Sequence, residues 1–176
     1  MPSSQLKPVF HVKADKANCI QDMFNAVAPK YDFLNGLLSV GFDRYWRKLA
    51  VDELEPLANR LFLDLATGTA DIAIELALRD KSHIIGIDFS REMLELGNNK
   101  VLTNNMQSSV TLFPGAAENL PIKSNSFDGA VSAFGARNFS DINLAISEIH
   151  RVLKPHGKFL PSVPSFWPEK ICWSLS

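Results

Sequence analysis

The 176-residue sequence predicts an α/β protein: a parallel sheet wrapped by helices, with a helical cap ahead of it. Three observations predict this class. Short apolar runs alternate with stretches whose apolar residues recur at helical spacing. The runs are apolar almost throughout, as strands buried on both faces must be. Residues 16–57, in contrast, show helical spacing and no strand-like alternation. Strands that alternate with helices imply right-handed crossovers, and ligands in such sheets bind beyond the carboxyl ends of the strands.

Residues 1–15 read as a loose arm. Ile20, Met23, Phe24 and Val27 mark one apolar helix face, which Ala28-Pro29 ends or kinks. From Tyr31 to Trp46 aromatics, amides and glycines are too dense for a plain amphipathic helix. Asp43 is placed to cap a helix from Arg44 to about Leu54, stopped by Pro56. Residues 1–57 are thus a helical cap, too short for a domain, leaning on a core of 58–176.

In the core, Leu61–Ala66 is the first strand. It breaks at Thr67-Gly68-Thr69-Ala70, and Ile72 and Leu76 begin a helical pattern. His83–Asp88 is the second strand, followed by a helix with Ser90 as cap and Glu92 and Glu95 near its N-terminus. Val110–Phe113 is the third strand and Phe127–Ala133 the fourth. Asp141 caps a helix through Ile142, Ala145, Ile146 and Ile149 to Leu153; Lys154-Pro155-His156-Gly157 ends it. Lys158 opens a fifth strand, which Pro161 and Pro164 are expected to interrupt, since proline cannot pair centrally.

The bulk composition narrows the function classes. Net charge is −1 with mixed signs, so no basic field points to nucleic acid. No run of about 18 apolar residues is present, and the N-terminus lacks the apolar core of a signal peptide. Cys19 and Cys172 stand far apart, as two free thiols in a reducing cytoplasm would. The four histidines show no ligand or triad spacing, and no nucleophile-elbow pattern surrounds Ser90 or Ser126.

Strand, small-residue turn and helix at 61–77 form half of a mononucleotide-binding unit. The turn leaves backbone N–H groups facing whatever sits above the helix N-terminus. Asp88 ends the next strand 20 residues after Gly68, where an acid can accept hydrogen bonds from ribose hydroxyls. Together they suggest an adenosine-type cofactor. A nicotinamide fingerprint needs two further glycines where Thr69, Ala70 and Asp71 stand, which makes a nucleotide-dependent oxidoreductase improbable. Asp64, Gly68 and Asp88 suit S-adenosylmethionine (SAM); another nucleotide, or a turn that merely contains glycine, remain alternatives. Gly68, Asp88, Gly115–Glu118 and Phe134–Asn138 all fall on the same sheet edge.

Several segments carry a resemblance. They are Phe24–Asp32 with Asn35, Ser39 and Trp46, then Leu63–Asp71, then Asp88–Leu94. Ala117–Pro121, Ser126–Asp128, Ala133–Asn138 and Arg151–Pro155 follow in order. Up to about Lys158 the chain resembles the ubiquinone/menaquinone biosynthesis C-methyltransferase family. The resemblance implies a Rossmann-like SAM-dependent methyltransferase sheet, order 3-2-1-4-5. It implies C-methylation of a polyprenylated quinol, demethylmenaquinol by preference. It assigns cofactor binding to Asp64, Gly68, Thr69, Asp88, Ala116 and Ala117, and catalysis to Arg137, Asn138 and Tyr31. A prenylated substrate implies a cytoplasmic protein in peripheral contact with a membrane surface.

Departures from the family pattern carry their own expectations. Ala70 replaces a usual glycine and is expected to crowd the methionine end by one methyl group. Ala116 replaces Asp or Asn, losing a hydrogen bond to the adenine amino group worth about 0.5–1.5 kcal/mol. Asp43 stands for a usual His and His156 for a usual Gly. The chain stops at Ser176, about a quarter short of a usual member, so the last strands are expected to be missing and a sheet edge exposed. That favours the alternative of a non-catalytic truncated homologue, a binding or interaction subunit forming a homo- or hetero-oligomer through the edge.

Overall fold

A computed structural model describes residues 45, 48, 51–54, 60–80, 82–133, 135–162 and 173–174. Strands β1 (Leu61–Leu65), β2 (His83–Asp88), β3 (Val110–Pro114), β4 (Phe127–Ala133) and β5 (Leu153–Ser162) are parallel; β6 (Trp173–Ser174) is antiparallel to β5. The sheet order is β3-β2-β1-β4-β5-β6. Helices α1 (Asp71–Asp80), α2 (Arg91–Thr103) and α3 (Ile142–Val152) make the crossovers, with a short 3-10 turn at Ala136–Asn138. The expected order 3-2-1-4-5 is therefore what the chain adopts.

Period-two alternation assigns each strand residue to one of two cores. Phe62 and Val131 join Ile72, Leu76 and Val101 of α1 and α2 on one face. Leu63, Leu65 and Ala130 join Ala145, Ile149 and Val152 of α3 on the other. Both faces are covered, which is why the strands lack polar alternation. Val51 and Leu54 are buried in the first of these cores, and Arg79 pairs with Asp52. The end of the N-terminal segment is thus packed against the sheet; Tyr31 and the rest of 1–44 lie outside the described residues.

The local signals behave as expected. The Ser90 hydroxyl accepts from the Met93 N–H at 3.2 Å, and one Asp141 carboxylate oxygen accepts from Asn143 and Leu144 at 3.1 and 3.3 Å. The fifth strand corrects an expectation. It is not cut at Pro161, which sits in register with Ser132, and it reaches Ser162. On its far side, among the described residues, β6 pairs with Lys158 and Phe159. The same pairing partly covers the edge expected to be open. The expected turn at Lys154–Gly157 lies within β5 as a break in register: Phe127 pairs with Leu153, whereas Gly129 already pairs with Lys158. His156 takes φ +65° there.

Candidate active site

The loop after β1 occupies the point where crossovers diverge, between β2 on one side and β4 on the other. Ala66, Gly68 and Ala70 adopt φ of +53°, +55° and +65°. This alternation folds five residues into a cup, with the Ala70 N–H donating to the Thr67 carbonyl at 2.9 Å. Two alanines in left-handed geometry cost about 1–2 kcal/mol each, the kind of strain stored at functional loops. A Cβ built on Gly68 meets nothing within 4 Å, so the loop is open on that side. The Ala70 methyl does not crowd this opening: it is fully buried within the core shared with α1 and α2. The expected crowding of the methionine end is therefore corrected; the cost of Ala70 is backbone strain.

Asp64 lies beneath the loop, 1% exposed. One of its oxygens accepts from the Thr67 hydroxyl at 2.6 Å, and the Ala73 N–H at the start of α1 also bonds it. Burial pushes its pKa up to about 7, helped by the nearby Asp88 and opposed by the Thr67 hydrogen bond. Asp64 thus acts on the loop from below, through Thr67.

Asp88 lies 6% exposed at the end of β2. Its Oδ2 accepts from the Gly68 N–H at 2.8 Å and its Oδ1 from the Ser90 N–H at 2.9 Å. Burial raises its pKa, against those backbone donors. The Phe89 N–H is a third backbone donor to this carboxylate, and each oxygen carries two lone pairs, so acceptor capacity remains for a further hydroxyl donor. Thr69 is buried, and its hydroxyl accepts from Lys100 Nζ at 2.8 Å. The same ammonium reaches Asp71 Oδ1 at 2.7 Å, so α2 clamps both the loop and the start of α1.

After β3 the Gly115 N–H donates to the Asp88 carbonyl at 2.9 Å, which sets this loop beside the strand-2 acid. Ala116 is exposed and bridges to Asn119, while Ala117 is buried among the α3-side core. After β4, Gly135 leads into the Ala136–Asn138 turn. A Cβ on Gly135 would lie 2.2 Å from the Ala66 Cβ, so the two loops are in direct backbone contact and only glycine fits. This contact brings the Arg137–Asn138 backbone next to the Gly68 loop. Asn138 is half-buried; the Arg137 side chain lies outside the described residues, as does Tyr31.

Six of the nine expected site residues, Asp64 to Ala117, and the backbone of the Arg137–Asn138 turn thus meet at one sheet edge. Lys100 escaped the sequence reading, which places Glu118 at the site edge and Thr67 in the turn, but not their side-chain bonds. The Asp64–Thr67 pair is three residues apart and was legible as a side-chain bond within one turn. Lys100 and Glu118 reach partners 22 to 31 residues away, and no local pattern marks them.

A glycine-bearing loop after the first strand, an acid after the second and the order 3-2-1-4-5 define the class: a Rossmann-like SAM-dependent methyltransferase fold. Solved structures agree on the fold. A SAM-dependent methyltransferase from Aquifex aeolicus matches with TM-score 0.58 at 22% identity, over 64% of this chain and 61% of that one. The [4+2]-cyclase SpnF matches with TM-score 0.71 at 23% identity, over 80% and 57%. Fold alone therefore does not oblige methyl transfer.

Residues 11–163 match the ubiE/COQ5 methyltransferase family, and the chain belongs to it. The ubiquinone/menaquinone biosynthesis C-methyltransferase UbiE of Geotalea daltonii is 44% identical over 146 residues, covering 82% of this chain and 62% of that protein. The demethylmenaquinone methyltransferase of Desulfitobacterium hafniense is 38% identical over 160 residues, covering 86% and 63%. The chain spans about three fifths of the length of these relatives.

SAM is the cofactor of this class, and the residues present fit it. The open side of Gly68 admits a ligand against backbone, and Asp88 keeps acceptor capacity for a ribose hydroxyl beside its three backbone donors. Ala116 adds no side-chain bond. Among the described residues no three His, Cys, Asp or Glu side chains gather to hold a metal.

Proposed function

We propose that this chain binds SAM at the Gly68–Asp88 edge and methylates a ring carbon of a polyprenylated quinol, demethylmenaquinol by preference. The observation that carries the reading is the packing of Gly135 on Ala66, which sets the Arg137–Asn138 turn against the cofactor loop. Bound SAM supplies an electrophilic methyl group. Asp88 holds the ribose by accepting from its hydroxyl edge, and Gly68 and Thr69 let the backbone approach the methionine half. Ala116 and Ala117 flank the adenine. Arg137 supplies a permanent positive charge that stabilises the ionised quinol hydroxyl, since guanidinium does not deprotonate. Asn138 and Tyr31 orient the ring oxygens by hydrogen bonds, which is the positioning share of catalysis.

In this reading residues 1–57 form a cap over a core of 58–176, and a slot between them takes the apolar substrate. The prenyl tail places the protein against a membrane surface; among the described residues no helix is long and apolar enough to cross one. Nucleic acid plays no part, in keeping with the net charge of −1. A second reading, a non-catalytic subunit that joins a partner at the sheet edge, has Ala116 in its favour.

Isothermal titration with SAM tests the proposal, with Asp88→Ala as control. Binding that the variant loses, followed by quinol turnover that Arg137→Ala abolishes, is the expected result. Binding without turnover supports the second reading. Absence of binding by folded wild-type chain refutes both the cofactor assignment and the enzyme.

A further inference from the structure

We infer that Glu118 is a positioning residue that locks the turn carrying Arg137 and Asn138 to the loop after β3, so that a ligand seated on that loop orders the turn. The inference rests on the functional reading above and adds a coupling to it. Glu118 immediately follows Ala116 and Ala117. Its Oε1 accepts three hydrogen bonds: from the Ser140 N–H at 2.6 Å, the Ser140 hydroxyl at 2.8 Å and the Asp141 N–H at 3.2 Å. Those donors begin two residues after Asn138.

Among the described residues, the turn's internal backbone bonds are Asn138 N–H to the Gly135 carbonyl at 2.9 Å and Phe139 N–H to the Ala136 carbonyl at 3.3 Å. Gly135 anchors its entrance against Ala66, and Glu118 anchors its exit. The same loop is tied further down to α3. The Leu120 N–H donates to Glu148 Oε2 at 2.8 Å, and Arg151 donates to the Leu120 and Ile122 carbonyls at 3.0 and 2.6 Å. Loop and helix are therefore tied together, and the Glu118 carboxylate joins the turn to them. Bonds to a charged acceptor are roughly twice as strong as neutral ones, so this joint outweighs the turn's internal bonds. A ligand that binds better when the loop is ordered must, by linkage, favour the ordered turn as well.

A residue that merely capped α3 would change stability without coupling the two loops. Hydrogen exchange separates the cases. Exchange of the amides at 135–141 is followed with and without saturating S-adenosylhomocysteine in wild type, Glu118→Ala and Glu118→Gln, with affinity titrated on the same samples. The ligand is expected to slow exchange there about tenfold in wild type, a coupling in the usual range. Glu118→Gln, which keeps the accepting oxygen, should retain that protection. Glu118→Ala should bind within about threefold of wild type, gain no protection at 135–141, and lose about tenfold in kcat with KM for SAM unchanged. If Glu118→Ala does not fold, Ser140→Ala, which removes one of the three bonds, should show reduced protection. Binding without added protection in wild type, or protection that survives in Glu118→Ala, overturns the coupling and leaves the functional reading standing. Failure of folded wild type to bind overturns both.

Discussion

Replacing Asp64 by Asn should flatten the stability of this protein between about pH 4 and pH 7. The carboxyl is buried under the cofactor loop with a pKa near 7, against 3.8 when unfolded. A carboxyl whose pKa is raised on folding binds more protons in the native state across that window. Stability therefore falls as pH rises from about 4 to about 7 and levels off above. The shift of roughly three units, at about 1.4 kcal/mol each, makes the loss on the order of 4 kcal/mol. Asparagine does not titrate, and its carbonyl oxygen can still accept the Thr67 hydroxyl. The variant should therefore match or fall below wild type at pH 5 and exceed it at pH 8. Urea unfolding followed by tryptophan fluorescence at pH 5, 6, 7 and 8 reads the difference. A wild-type-minus-variant difference that stays constant over this range would show that Asp64 does not titrate there, and the burial argument would fail.

Three further outcomes follow from close contacts and backbone geometry. Gly135→Ala puts a methyl group 2.2 Å from the Ala66 Cβ, so overpacking should cost about 1–3 kcal/mol and lower the melting temperature by several degrees. An unchanged melting temperature would mean the two loops can part freely. His156→Gly removes an exposed side chain from a φ of +65° and should stabilise by about 1 kcal/mol, measured by urea unfolding. Lys100→Met keeps the apolar stem but frees Thr69 and Asp71 from the ammonium. SAM affinity by titration should drop about tenfold if the clamp preorganises the loop, with the fold preserved by circular dichroism.

The sequence alone determined the strand and helix order, the parallel sheet, the caps at Ser90 and Asp141, and the meeting of Gly68, Asp88 and the Arg137–Asn138 turn at one edge. These rest on periodicity and on contacts within a few residues, which the chain carries with it wherever it folds. A family resemblance added the chemistry, and the family match over 11–163 agrees with it. Tertiary structure decided the rest. Strand β5 continues past Pro161 because its pairing there is with β4, Pro161 in register with Ser132 and Ser162 with Ala133. The Ala70 methyl lies in the core beside α1 and α2, with its backbone at a positive φ. Lys100 and Glu118 found their partners only once the sheet order had brought distant loops together. Local patterns are encoded by neighbouring residues, whereas hydrogen bonds across 20 to 30 residues depend on which strands lie side by side.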